Sequence, residues 1–98
     1  MYALIRQAIS EKKLLAIFYD PGYRTVEPCA YGTGAGGQHL LRVFQTSGAS
    51  ASGEHTHWKL FRVDQIKRLK VLDQHFLGGR PEYHRNDKAM TAGIFCQI

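Results

Sequence analysis

Asp20-Pro21-Gly22 fixes the first reversal of this chain, and with it the kind of fold that can follow. Proline presets its own φ at about −65° and glycine accepts positive φ, so the tripeptide turns the backbone back on itself. Leu14 to Tyr19, ahead of the turn, is an unbroken apolar run rich in strand formers, and Tyr23 to Tyr31 must return beside it. Because both faces of the first run are apolar, one face is expected to meet the core and the other a helix. That helix is read from Met1, Leu4, Ile5, Ala8 and Ile9, whose spacing builds one apolar stripe. Glu11, Lys12 and Lys13 end it at a solvated tip, where lysines suit the negative end of the helix dipole. So short a helix persists only when docked.

In the returning strand, Arg24, Val26 and Pro28 share one face and Thr25, Glu27 and Cys29 the other, with Pro28 marking an edge or bend. Gly32 to Gly37 is a second reversal. It resembles a phosphate-cradling loop only in its glycines, since no helix pattern follows and no Gly-Lys-Ser/Thr closes it, so it reads as a hairpin loop. His39 to Gln45 resumes strand character, with His39, Leu41 and Val43 opposed to Leu40, Arg42 and Phe44. Thr46 to Glu54 reads as a mobile loop, His55 to Val63 as a fourth strand and Leu69 to Leu72 as a fifth. One helix and five short strands joined by tight turns predict a mainly β fold: a small five-stranded antiparallel barrel of SH3 or Sm type over residues 1–77. Gly78-Gly79-Arg80-Pro81 then opens a C-terminal extension, residues 78–98. Phe76, Tyr83, Ile94 and Phe95 are its candidate anchors, onto the barrel or onto a partner.

At 98 residues the chain suits one modest core. A formal charge of +5, spread without a basic block, favours anionic partners. No signal peptide or long apolar run is present, so no membrane association and a cytoplasmic location are expected. Cys29 and Cys96 lie far apart and read as reduced thiols. His55 and His57 share a strand face, but two ligands without a third at a defined spacing are too sparse for a zinc set, so no metal is expected. No paired carboxylates, Gly-x-Ser-x-Gly or ordered Cys-His-acid set is found, so neither an enzyme nor a cofactor is expected.

The stretch Trp58 to Ile66 alternates cationic and apolar residues, sending Lys59 and Phe61 to one face and Trp58, Leu60 and Arg62 to the other. Ring and guanidinium side by side can hold a planar anion. On composition alone, Phe61 is a core residue, both cations are solvated, and Tyr19 and Trp58 are packing residues.

Ile17-Phe18-Tyr19, Val26-Glu27-Pro28, Leu40 and Lys59-Leu60-Phe61-Arg62-Val63-Asp64-Gln65-Ile66 stand in the order of the Ile-x-Tyr, Val-x-Pro, Trp-Tyr-Leu and Arg-x-Phe-Arg-Leu-Asp-Arg-Ile patterns. Residues 2–76 thereby resemble the WYL domains of bacterial and phage regulators, with Phe76 where those often carry a Phe. The resemblance implies an Sm-like ligand sensor that binds single-stranded nucleic acid or a nucleotide and acts on a transcription or phage-defence partner, CRISPR effectors among them. Its candidate ligand residues here are Tyr19, Arg24, His39, Arg42, Lys59, Phe61, Arg62 and Gln65. Many such proteins carry a helix-turn-helix domain before the WYL helix. This chain begins at that helix, so duplex reading in cis is not expected. The name-giving triplet is replaced by Gln38-His39-Leu40, and Lys59 and Gln65 stand for arginines, which removes forked phosphate donors. The alternative expectation is a protein-interaction or homodimerisation module with a degenerate ligand site.

Overall fold

The helix forms over Tyr2–Glu11 (α1) in a computed structural model that describes residues 1–98. Only Ile5, Ala8 and Ile9 of its stripe are buried, while Met1 and Leu4 stay 48% and 41% exposed, so the docked face is narrower than the spacing predicted. Lys12 ends the helix in a left-handed conformation (φ 52°), and the capping N–H groups reach the Ala8 and Ile9 carbonyls. The strands are β1 (Lys13–Tyr19), β2 (Gly22–Thr33), β3 (His39–Gly48), β4 (His57–Arg62), β5 (Arg68–His75) and β6 (Gly93–Gln97), with a 3-10 turn at Val63–Gln65.

The sheet is antiparallel and six-stranded, one strand more than the sequence indicated. Its path runs β4-β3-β2-β1-β5, and β6 pairs with β2. The Asp-Pro-Gly reversal is where it was expected, pairing Tyr19 with Gly22. β3 extends past its expected end to Gly48, because Arg24 and Thr25 of β2 need partners and find them in Gly48 and Ser47. β2 is long and shifts register between Thr25 and Val26 and between Pro28 and Ala30. Pro28, which has no N–H to donate, sits in the second irregularity. The first half of β2 lies between β1 and β3, and its second half between β6 and β3.

Alternation sends Leu15 and Ile17, Val26, Leu41 and Val43, and Phe61 to one face, where they pack with Ile5, Ala8 and Ile9 of α1 and with Val63 and Ile66. Burying such a side chain contributes about 1.5–3 kcal/mol. The opposite face of β2 and β3 is not left to solvent. The C-terminal segment covers it, setting Met90 against Ala30 and Leu40. The Glu27 carboxylate, 9% exposed, takes two bonds from Arg80 at 2.8 and 2.9 Å. Residues 78–98 are therefore docked on the sheet, with Phe76 buried and Phe95 40% exposed. No helix is long and apolar enough to cross a membrane.

Candidate anion-binding site

The inward rows of β1, β2, β3 and β4 are apolar at their centre and turn polar, towards one mouth of the sheet, at Tyr19, Arg24, Gln45 and Lys59, with His57 one inward position beyond Lys59 and opposite Gln45. Strand alternation puts them there: each lies two residues beyond a core side chain, namely Ile17, Val26, Val43 and Phe61. Arg24 is 4% exposed. Its Nε donates to the Tyr19 carbonyl at 3.0 Å, Nη1 to Gln45 Oε1 at 3.4 Å and Nη2 to the Asp20 carbonyl. The guanidinium carbon stands 5.2 Å from the ring centres of both Tyr19 and Phe61. Those rings stack on each other at 4.3 Å. Burial pulls the Arg24 pKa down, against the opposing influence of Tyr19 and Asp20, but an arginine remains charged.

Lys59 is the second inward cation. Its Nζ donates to Ser50 Oγ at 3.0 Å and Ser52 Oγ at 2.9 Å. The loop carrying those serines is fixed by Gln45, which is fully buried and whose Nε2 donates to the carbonyls of Ala49 (2.8 Å) and His55 (3.1 Å). The stretch expected to be a mobile loop is thus tied down as a cap over the mouth. Carboxylate pairs form on Lys13, Arg42, Arg62, Lys67 and Arg80, and on His57, whose partner Glu54 belongs to the cap itself. Arg24 and Lys59 are held by neutral oxygens alone.

Of the candidate residues, Tyr19, Arg24, Phe61 and Gln65 come together, Tyr19 Oη donating to Gln65 Oε1 at 3.3 Å, and Lys59 closes the same end. Phe61 is 2% exposed, so its ring is core and offers no open stacking face. Arg62 contributes only its backbone N–H, which donates to Tyr19 Oη at 3.3 Å. Its side chain leaves on the opposite face to meet Asp64 at 3.2 Å, so ring and guanidinium do not form the expected shared surface. Arg42 points outward to Asp87, with Nε and Nη2 at 2.6 and 3.2 Å from the carboxylate oxygens. That hydrogen bond, more than any other influence, holds the Asp87 carboxyl below its usual pKa. His39 lies at the far end of β3, its Nδ1 2.6 Å from Tyr31 Oη and its ring against Tyr2 and Phe95.

Gln45, Ser50 and Ser52 belong to the site and were not singled out from the sequence. For Gln45 the signal was available, since it continues the inward row of Leu41 and Val43. The serines carried none. No three His, Cys, Asp or Glu side chains gather where they could hold a metal ion. No family model, curated protein or solved structure matches the chain.

Proposed function

We propose that this chain is a ligand-sensing regulatory domain of WYL type, its sheet curled into an Sm- or SH3-like barrel to which β6 is added. It takes an anionic ligand, a short single-stranded nucleic acid or a nucleotide, at the mouth capped by residues 49–56. The observation that carries the reading is the pair of inward cations, Arg24 and Lys59, whose partners are all neutral. The Lys59 ammonium now faces only the neutral dipoles of two serine hydroxyls, and an arriving phosphate replaces them with an opposite charge, which attracts it more strongly. Arg24, already ordered beside the stacked rings of Tyr19 and Phe61, adds positive potential without having to move. Release of Ser50 and Ser52 frees the cap, and the changed cap is what an effector or transcription partner reads.

Fluorescence anisotropy with labelled single-stranded RNA and DNA at low salt tests this. Binding is expected, with log affinity falling linearly as log salt rises. Lys59→Ala should weaken it by about tenfold and Arg62→Ala, on the other face, far less. Absence of binding, or binding indifferent to Lys59→Ala, refutes the reading.

A second reading, an interaction or dimerisation module, is favoured by one surface. Tyr2 (53% exposed) and Phe95 (40%), whose rings both meet His39, leave an aromatic patch where α1 meets β6. Light scattering after size exclusion separates the two: a dimer indifferent to nucleic acid and lost in Tyr2→Ser with Phe95→Ser supports the module.

A further inference from the structure

The outer face of β3 and β4, away from the mouth, carries a cleft of about 540 Å³. That is the size of pockets that hold small ligands. Trp58 lies at its base and residues 82–88 form its wall. The wall contains neither helix nor strand, yet it is fastened all around. Arg42 grips Asp87, Tyr83 Oη lies 3.3 and 3.2 Å from the Cys29 and Ile98 carbonyls, and Trp58 Nε1 donates to the Pro81 carbonyl at 3.4 Å. Asn86 and Gln97 exchange two further bonds, at 2.9 and 3.1 Å. Within the wall, Glu82 and Asn86 take left-handed backbone conformations, φ 71° and 61°. Such a conformation is costly for a glutamate and persists only where surrounding contacts impose it. An irregular segment tethered this firmly around open volume is held off the sheet, and the tethers keep the cleft from collapsing.

The chemistry of the cleft has two parts. Trp58 and Tyr83 stack nearly parallel, 5.7 Å apart at 19°, and are the aromatic part of its lining. Arg85 and Lys88 rise from the wall without an ion-pair partner, since Asp87 is taken by Arg42 and the nearby His57 pairs with Glu54; the one other carboxylate of the lining, Glu82, is in no ion pair either, so the cations exceed the free acid by one. An aromatic pair beside two cations that form no ion pair suits a ligand with a planar ring at one end and a phosphate at the other. We propose that this cleft binds a phosphorylated nucleoside, free or as the 5′ end of a single strand, with the base against Trp58 and the phosphate between Arg85 and Lys88. The site uses none of the mouth residues and stands or falls separately from them.

Trp58 is the chain's single tryptophan, so its emission reports the cleft directly. The full chain is titrated with AMP and UMP, with ribose 5-phosphate and inorganic phosphate, and with a 5′-phosphorylated oligonucleotide, while emission is followed at 295 nm excitation and heats by calorimetry. Saturable quenching by a mononucleotide, weakened at least about tenfold in Arg85→Ala with Lys88→Ala and unchanged in Lys59→Ala, is the expected result. Quenching by the oligonucleotide alone, lost in the same double variant, assigns the ligand to a strand end and equally supports the site. Arg85 and Lys88 are exposed and form no ion pair, so the double variant should fold as the parent does. No saturation by any nucleotide at millimolar concentration, or affinity indifferent to the double variant, overturns the proposal.

Discussion

Arg42→Met tests how far the C-terminal segment and the sheet share one stability. The replacement keeps an apolar stem on β3 and removes both bonds to Asp87, whose side chain is 10% exposed. Asp87 is left with one donor, the Ala89 N–H at 3.0 Å. Breaking a fully buried pair costs about 3–5 kcal/mol. Arg42 is 26% exposed, so water reaches part of the vacated site and about 2–3 kcal/mol is the appropriate figure. In a domain of this size each kcal/mol lowers Tm by about 4–8 °C, giving a fall of roughly 10–20 °C at pH 7. Acid should erase the difference. The folded pKa of Asp87 is depressed, so its contribution is complete above the unfolded value near about 4 and disappears as pH falls through the folded value. Thermal melts of both proteins from pH 7 down to pH 2 read this out. A Tm shift under about 2 °C at pH 7, or a gap as wide at pH 2 as at pH 7, would show that the pair does not carry the docking of the segment.

Two further outcomes follow from buried groups. Gly32→Ala should lower stability by about 1–3 kcal/mol, because a Cβ there would sit 2.5 Å from the Gly93 carbonyl oxygen and 2.8 Å from Met90 Sδ, and urea unfolding at unchanged midpoint would mean that β6 is not seated on β2. Burial pushes the Cys29 thiol and the Tyr83 phenol each up to about 12. Both folded values exceed the unfolded ones, so their contribution is complete below about pH 8.5 and lost as pH climbs towards 12. The alkaline decline in Tm should flatten in Cys29→Ala with Tyr83→Phe, and parallel declines in both proteins would refute it.

What the sequence made legible is what local chemistry decides. Asp20-Pro21-Gly22 turns where its backbone preferences say, and alternation in β3 and β4 correctly separates Leu41, Val43 and Phe61 from Arg42, Phe44 and Trp58. β6 was not legible because nothing local demands it. Gly93 to Gln97 follows a polar, turn-rich stretch and becomes a strand only because β1 stops pairing with β2 at Val26, leaving the second half of β2 with an unsatisfied edge. The same missing strand explains the misread outer face of β3. Arg42 alternates outward as the pattern requires, but the acid that receives it stands 45 residues away on a segment with no periodicity of its own.

The candidate site divides along the same line. That Arg24 and Lys59 face inward follows from counting two residues beyond the core in each strand. That they lack carboxylates does not follow from any count, because it depends on where the chain's eight acids end up. Asp20 is adjacent in the fold to Arg24 yet turns its carboxylate to Lys67 at 3.1 Å, so that Arg24 bonds only to its carbonyl and feels the carboxylate through space. Asp64 likewise serves Arg62 on the outer face. Each of these acids bonds to a cation that solvent already stabilised, and the two cations of the mouth are left bonded to neutral oxygens, with Asp20 acting on Arg24 only through space. The basic balance of the composition therefore hides an asymmetry: two of the positive charges lie at inward positions that strand alternation alone would have assigned to the core, and they bond to neutral oxygens only.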